Sequence, residues 1–445
     1  DLSRQLELPV EIETLDAAIH WFSPALRLIN VSVYDSDNKV PLFNFDEAFL
    51  ELDVVASVLR GEIIVDNIGL IGTDISIEKL SETEWTVQGI RFSSDGDSEL
   101  PDSISYMLLN SDYLFHDCNI YYQDHTGDKL SLQLLDVNIN VNNAFNHHDI
   151  MMTMLLPDIY GEHLAIVASL DGDIDDFSGD VFLEATGARV KQWNTKFGLA
   201  DGYEMDAKLD INTWMDIENA NIVGLVTELE ASDVLIRNRH NGRTWKTPHL
   251  AAKARVSNRQ DRWHVSIADL VFGEADNPSW PVPLDLIAIE QQDAWSLSTS
   301  FLRLADARQI ADVFLDDEQR NKLAVIDDYS LRSDIYNLSV ILPRKISGQT
   351  AGEGARKNAL ADITFDAMLV DANIQDSENA ITISGIDAEI RYQQGTIDLD
   401  IASDDVSIEM ARLFRQPLFL GLVLEREYSS SHGEPCRIPA ATPRM

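Results

Sequence analysis

The fold class this sequence predicts is mainly β: an elongated antiparallel repeating β-groove, a curled, taco-like sheet with a few short helices. Three observations predict it. Apolar and polar residues alternate along most of the chain at the period of two that puts every second side chain on one face of a strand. Residues 121–141, YYQDHTGDKLSLQLLDVNINV, read as a hairpin whose pattern returns at distant positions. In that hairpin and in its returns the alternation changes parity, and a β-bulge absorbs the extra residue while keeping both halves of the apolar set on one face.

In the central hairpin the first strand ends at Asp124, residues 125–129 supply the Gly and Asp of a turn, and Leu130, Leu132 and Leu134 share a face. Leu135 follows directly, after which Val137, Ile139 and Val141 resume the period, with Asn138 and Asn140 facing outward. Residues 374–392 repeat the pattern. Gln375 and Asp376 match Gln123 and Asp124, Ile381 and Ile383 match Leu130 and Leu132, and Gly385 matches Leu134. Ile386 and Asp387 then match Leu135 and Asp136 before Ala388, Ile390 and Tyr392. An earlier copy spans 34–52, with Phe43 and Phe45 before the shift and Ala48, Leu50 and Leu52 after it. A weaker one spans 236–256, with Asn238 at the Asp position and Leu250, Ala252, Ala254 and Val256 closing. The shared polar residue, turn and parity shift argue for an internal repeat.

In chain order, residues 8–19 alternate as a lead-in strand, and His20-Trp21-Phe22-Ser23-Pro24 breaks it before Leu26 and Leu28. Ile29, Val31 and Val33 continue after another parity change. Residues 53–60 read as a helical turn closed by Gly61, 63–70 and 73–80 as two strands, and 84–89 as the close of that segment. The polar, acidic stretch 93–101 marks a boundary, followed by a short helix over 102–110. Further strands are expected at 163–170, 179–186, 205–212, 265–272, 295–302, 396–402 and 406–409. Ala307, Ile310, Val313, Phe314, Leu323 and Ile326 fall at helical spacing over 306–326, and 344–358 is a Gly, Ser and Lys loop. The expected division is 1–92, 93–343, 344–428 and an atypical tail at 429–445 that carries no period.

With 45% hydrophobic residues over 445 positions the chain is globular. About 150 residues per domain would suggest two or three domains, but a repeat array allows one elongated body, which is the preferred reading. A formal net charge of -41 and a pI near 4.3, with no Lys/Arg stripe, would repel phosphate backbones, so nucleic acid is not an expected partner. Cys118 and Cys436 are too few for a disulfide framework. The sequence opens at Asp1 with no initiator Met and no signal-like segment, so any targeting element is expected upstream. The most apolar late run, 417–424, is far shorter than the roughly 20 residues of a membrane helix.

The search for chemistry returns little. Asp171, Asp173 and Asp175 have the odd-position carboxylates of an EF-hand loop, but Asp176 stands where Gly is needed and Phe182 where a bidentate Glu is needed. A solvated turn is the better reading. His147 and His148 are adjacent and so point to opposite faces of a strand, which argues against a shared metal. No metalloprotease, nucleophile-elbow, phosphate-loop or dinucleotide motif occurs. Trp21, Trp85, Trp193, Trp214, Trp245, Trp263, Trp280 and Trp295 read as packing residues. No catalytic residue, metal or cofactor is expected, and the chain is not read as an enzyme.

Too few amphipathic helices are available to cover the strands' apolar faces. Either one sheet packs on another as a sandwich, or the sheet curls and its apolar face lines a trough. Recurrent bulges favour curling. A trough of this length exceeds the few hundred Å² of apolar surface that soluble proteins leave open, so an apolar ligand is expected in it. The candidate lining is Phe43, Phe45, Leu50, Leu52, Leu130, Leu132, Leu134, Val137, Ile139, Val141, Ile381, Ile383, Ile390, Ile397, Leu399 and Ile401.

The segments HWFSPALRLINVSVYD at 20–35 and FDEAFLELDVVASVLRGEIIVDNIGLIGTDISIEKL at 45–80, with EWTVQG at 84–89, resemble the amino-terminal part of AsmA-like envelope proteins. The central hairpin with LPDIYGEHL at 156–164, and RLFRQPL at 412–418, resemble the large YhdP branch. The resemblance covers the chain to about residue 420, and the family's amino-terminal membrane helix and long carboxy-terminal continuation have no counterpart in it. It implies a periplasmic protein anchored in the inner membrane through that helix, whose β-groove carries phospholipid acyl chains toward the outer membrane and its components, with no catalytic residues. Two rivals stand beside it. A structural or adhesive β-repeat protein would close its apolar faces as a sandwich. A lipid- or glycan-processing hydrolase would need a convergent carboxylate or His cluster.

Overall fold

The computed structural model describes all residues except 1–9, 21–22, 35–40, 61–64, 82, 88–89, 94–110, 127–129, 174–175, 199, 201, 260–261, 316–330, 344–363, 377–379, 394–395, 411–415 and 430–445. The protein is mainly β, built from open antiparallel sheet with a few short helices. The chain divides into two compact units, 1–201 with 206–229, and 202–205 with 230–445. The helices expected at 102–110 and over 316–326, the loop at 344–358 and the tail after 429 lie outside the described residues.

In the first unit the elements are β1 (Val10–His20), β2 (Ser23–Tyr34), β3 (Pro41–Leu52), helix α1 (Val54–Arg60), β4 (Val65–Lys79), β5 (Glu84–Val87), β6 (Ile90–Ser93), β7 (Asp112–Asp124) and β8 (Leu130–Ala144). β9 (His147–Leu155), β10 (His163–Asp173), β11 (Asp176–Arg189), helix α2 (Val190–Phe197), and most of β12 (Tyr203–Glu218) follow. Neighbouring strands pair antiparallel except for one seam, where β4 and β7 run parallel from Asn67↔Asp112 to Lys79↔Asp124. β5 and β6 form a small hairpin on the end of β4.

Strand β13 (Asn221–Asn238) contributes residues to both units. In the second unit β14 (Thr244–Arg259), β15 (Arg262–Glu274), the short β16 (Asn277–Pro278), β17 (Leu284–Glu290), β18 (Ala294–Arg303) and helix α3 (Leu304–Phe314) lead to β19 (Arg332–Pro343). β20 (Thr364–Asp376), β21 (Ile381–Gln393), β22 (Thr396–Met410) and β23 (Leu418–Ser429) complete it as an antiparallel ladder.

Residues that tolerate a left-handed turn recur in mid-strand, and the ladder shifts register as a bulge at Asp117, Asp136, Gly187, Asp269, Asn337, Asp371 and Gly385 but not at Asn30 or Gly72. Asn30, Asp117, Asp136, Asp233, Asp269, Asn337 and Asp371 all have positive φ, as do Gly72, Gly187 and Gly385. Asp and Asn accept this conformation because a short polar side chain can bond locally. Several of the displaced backbone N–H groups donate to a side chain on the next strand: Asp117 to Asn138 Oδ1 at 3.1 Å, Gly187 to Asp210 Oδ1 at 2.6 Å and Asp269 to Asp285 Oδ1 at 3.1 Å. Such caps satisfy donors that the interrupted ladder leaves open.

Two expectations change on this account. Residues 63–70 and 73–80 belong to one strand, β4, because the chain turns left-handed at Gly72, φ 65, without losing register, and the ladder to β3 continues from Ile71 to Thr73. A Cβ at Gly72 would run into the Asp46 carboxylate. Likewise 396–402 and 406–409 are one strand, β22, with an irregularity between Ser403 and Val406.

The central hairpin forms as its pattern predicts, and its bulge falls between Leu134 and Val137 with Asp136 at φ 50. Asp124 Oδ1 accepts from the Thr126 N–H at 2.8 Å and hydroxyl at 2.6 Å, which explains the polar residue at the end of the first strand. Asn238 acts alike, accepting from the His240 N–H at 2.8 Å. In the hairpin of β20 and β21 the shift falls between Ile383 and Ile386, and Cys118↔Val137 corresponds to Ala372↔Ile386. Gly385 therefore takes the place of Asp136, not of Leu134, and Ile386 that of Val137, two positions from the pairing that the sequence pattern suggests.

Helix α2 has no side-chain cap at Arg189 and is held from outside: the Trp193 indole donates to the Tyr160 carbonyl at 2.7 Å and its ring lies 5.5 Å from that of Tyr160. In the second unit Trp245, Phe272, Trp280, Phe301 and Tyr336 make a chain of edge-to-face contacts 5.0 to 5.8 Å apart. The Trp280 indole ties that cluster to α3 by donating to Asp306 Oδ2 at 2.8 Å.

Candidate functional site

The register of the first unit's strands assembles one apolar face. A cross-strand row runs Ala17, Leu26, Leu50, Ile68, Tyr113, Val141, Ile150, Ala168, Val181, Met215, from β1 through β12 without a charged residue. Beside it runs a second row: Leu15, Leu28, Ala48, Leu70, Phe115, Ile139, Met152, Ile166, Leu183, Thr213. At about 4.8 Å per strand these rows extend roughly 40 Å. Beyond the bulges Val137 and Cys118 are 0% and 1% exposed, packed with Met154. Burial pushes the Cys118 thiol above its ordinary value.

The bulges explain why the two rows and this cluster share a face. Without the extra residue at Leu135–Asp136, Val137 would point away from Leu134; with it, both sides of the hairpin contribute to one surface. At one end of the strands the face becomes polar. Asn143 is paired with His148, whose Nδ1 lies 2.6 Å from Asn143 Oδ1 and whose Nε2 lies 3.1 Å from the Gly172 carbonyl. His147 points the other way, with Nδ1 2.9 Å from Asp171, a contact that raises its pKa.

The second unit has a corresponding row: Val256, Val265, Ala288, Leu297, Val340, Phe365, Tyr392, Ile397. Ile390 pairs with Leu399, and Ala388 with Ile401, in the rows beside it. Ile381 and Ile383 lie beyond the bulge, paired with Met410 and Ile408.

Of the residues that the sequence nominates, Phe45, Leu50, Leu52, Leu132, Leu134, Val137, Ile139 and Val141 lie in the first unit. Phe43 and Leu130 stand in register with Val33 and Asp124. Sequence reasoning left out the contributions of β4, β7 and β9 to β12, such as Ile68, Phe115, Met152 and Leu183. Alternation is present in each of these strands, but only the register shows that they continue the same row.

Among the described residues no group of three or more His, Cys, Asp or Glu side chains could hold a metal ion. No described helix is long and apolar enough to cross a membrane. The model of the YhdP protein family matches residues 1–429 of the chain. The chain belongs to the YhdP family. No curated protein matches this YhdP-family chain, and no solved structure does. Membership puts it among AsmA-like envelope proteins and is consistent with lipid transport in the envelope.

Proposed function

We propose that this YhdP-family chain shelters the acyl chains of phospholipids along its apolar sheet face during passage between the inner and outer membranes of a Gram-negative envelope. In this reading the protein is periplasmic, held at the inner membrane, and does no covalent chemistry. One observation supports it above others. Leu50, Ile68, Tyr113, Val141, Ile150, Ala168, Val181 and Met215 form an unbroken apolar row in which every residue but the small, buried Ala168 is only half-buried, as an open face requires. A closed sandwich would bury such residues completely.

The energetics fit this role. Each CH₂ kept from water contributes about 0.8 kcal/mol, so an acyl chain of roughly 16 carbons needs on the order of 10 kcal/mol of shelter to cross an aqueous gap. Near-equivalent Leu, Ile, Val and Met positions offer neighbouring sites of similar depth, so a chain can slide without falling into a deep trap.

The test is extraction and mass spectrometry of lipids bound to detergent-free protein, with transfer of fluorescent phospholipid between vesicles. Copurified phospholipid and protein-dependent transfer are expected. Bare protein that takes up no lipid would favour the structural, sandwich-packed alternative.

A further inference from the structure

The opposite face of the first unit's sheet is polar along most of its rows, apart from the apolar pair Leu135 and Leu155 and one longer stripe. Asn138, Thr153, Ala165, Glu184 and Asn212 form one row, and Asn142, Asp149, Ser169, Asp180 and Asp216 another. Between them runs Met151, Val167, Phe182, Trp214, four apolar side chains on adjacent strands β9 to β12. Met151 is 54% exposed, Val167 41% and Trp214 44%, and the Phe182 and Trp214 rings lie 5.2 Å apart. Isolated exposed hydrophobic residues are ordinary, but a contiguous stripe on a polar face marks an interaction surface.

We infer that this stripe is a docking site for an amphipathic, basic α-helix of a partner protein. Its length, roughly 14 Å across four strands, matches about nine residues of helix, so apolar residues at i, i+3 or i+4, and i+7 would meet it in turn. The flanks set the charge. Asp149, Asp180 and Asp216 line one side, about 7 Å along the strands from the stripe, whereas Thr153, Ala165, Glu184 and Asn212 carry a single carboxylate on the other. Asp149 also faces His147, with 3.3 Å between Oδ1 and Nε2. A helix with Lys or Arg along one border of its apolar face therefore fits in one orientation, and an acidic helix is repelled. Met and Trp suit such a surface because a thioether and an indole adapt to varied apolar partners. The surface lies on the opposite side of the sheet from the apolar rows, so occupancy need not obstruct them.

The experiment is calorimetric titration of the full chain with a synthetic helix of about 14 residues, leucines along one face and lysines on one flank. A peptide of identical composition in scrambled order and a version with Glu for Lys are the controls. The ordered Lys peptide is expected to bind at least about tenfold more tightly than either control. Val167→Ser, Met151→Ser and Trp214→Ser are each expected to weaken it by about tenfold, and Asp180→Asn with Asp216→Asn to weaken it severalfold and flatten its salt dependence. Unchanged circular dichroism checks that each variant folds, and Met368→Ser, at an exposed site in the second unit, should bind as wild type. Equal binding of ordered and scrambled Lys peptides would overturn the inference. So would self-association of the free chain, or flotation with phosphatidylcholine vesicles, that Trp214→Ser abolishes, because a second copy or a lipid surface would then be the occupant.

Discussion

The backbone N–H of Asp371, at φ 51 in the middle of β20, donates to the Asp387 carboxylate on β21 at 2.9 Å. Asp387→Ala leaves that donor to solvent and is expected to cost about 1 kcal/mol in chemical denaturation. Asp371→Val, which forces a β-branched residue into the left-handed region, is expected to cost about 1–2 kcal/mol, and Asp371→Gly to be tolerated. Equal stability of the Val and Gly variants would show that the bulge relaxes without strain.

Ile139 lies on the apolar face, paired with Met152, and Asn140 is its exposed neighbour, facing the opposite side. Ile139→Asp puts a carboxylate on the proposed acyl path at a cost of several kcal/mol to a passing chain, and vesicle transfer should fall by orders of magnitude. Asn140→Asp adds the same charge outside and should leave transfer unchanged. Asn138 would be a poor control, since its amide accepts from the Asp117 N–H and donates to the Asp136 carbonyl, spanning two bulges. If the two Asp variants transfer lipid equally, the face is not the path; if Ile139→Asp alone fails to fold, the face is a dry core.

Thr126, through its hydroxyl first and its N–H second, lowers the pKa of Asp124. A depressed folded-state value means a stabilising contribution that is complete above the unfolded value, about 4, and disappears as the pH falls through the folded one. Thr126→Ala should thus lower the midpoint of thermal unfolding at neutral pH, with the gap to wild type closing in acid. A gap that stays constant across that range would assign the effect to packing.

Cys118 is buried, and burial raises its thiol pKa, so both access and thiolate fraction protect it. In a Cys436→Ser background, reaction with a disulfide reagent at neutral pH is expected to be roughly a hundredfold slower in the native state than in denaturant. Rapid native labelling would mean that the Val137 and Met154 cluster opens readily.

Alternation made the strands legible, and the adjacent Leu134 and Leu135 made the bulge of β8 legible as well. The place of the bulge in β21 was not, because apolar spacing reports only that a residue is extra. Which residue turns left-handed depends on backbone tolerance and on acceptors across the ladder, so in the sequence alone Gly385 reads as a face position. Helix α2 was missed for a related reason: eight residues without a side-chain cap carry little local signal, and the Trp193 contact to Tyr160 is tertiary. The apolar face was legible strand by strand, but its continuity was not, since the β4 and β7 seam pairs strands that are not consecutive in the chain.

That seam also divides the order in which the first unit can fold. Elsewhere each strand from β7 to β10 meets its successor through a short connection, so pairing can spread as a zipper with little entropy lost at each step. β4 and β7 are separated by residues 80–111, a longer stretch of chain whose ends must meet before any of their parallel bonds form. Hydrogen-exchange pulse labelling should find β7 to β11 protected as one kinetic phase and the β4 seam in a later one, so that β1 to β4 join the ladder as a preformed block.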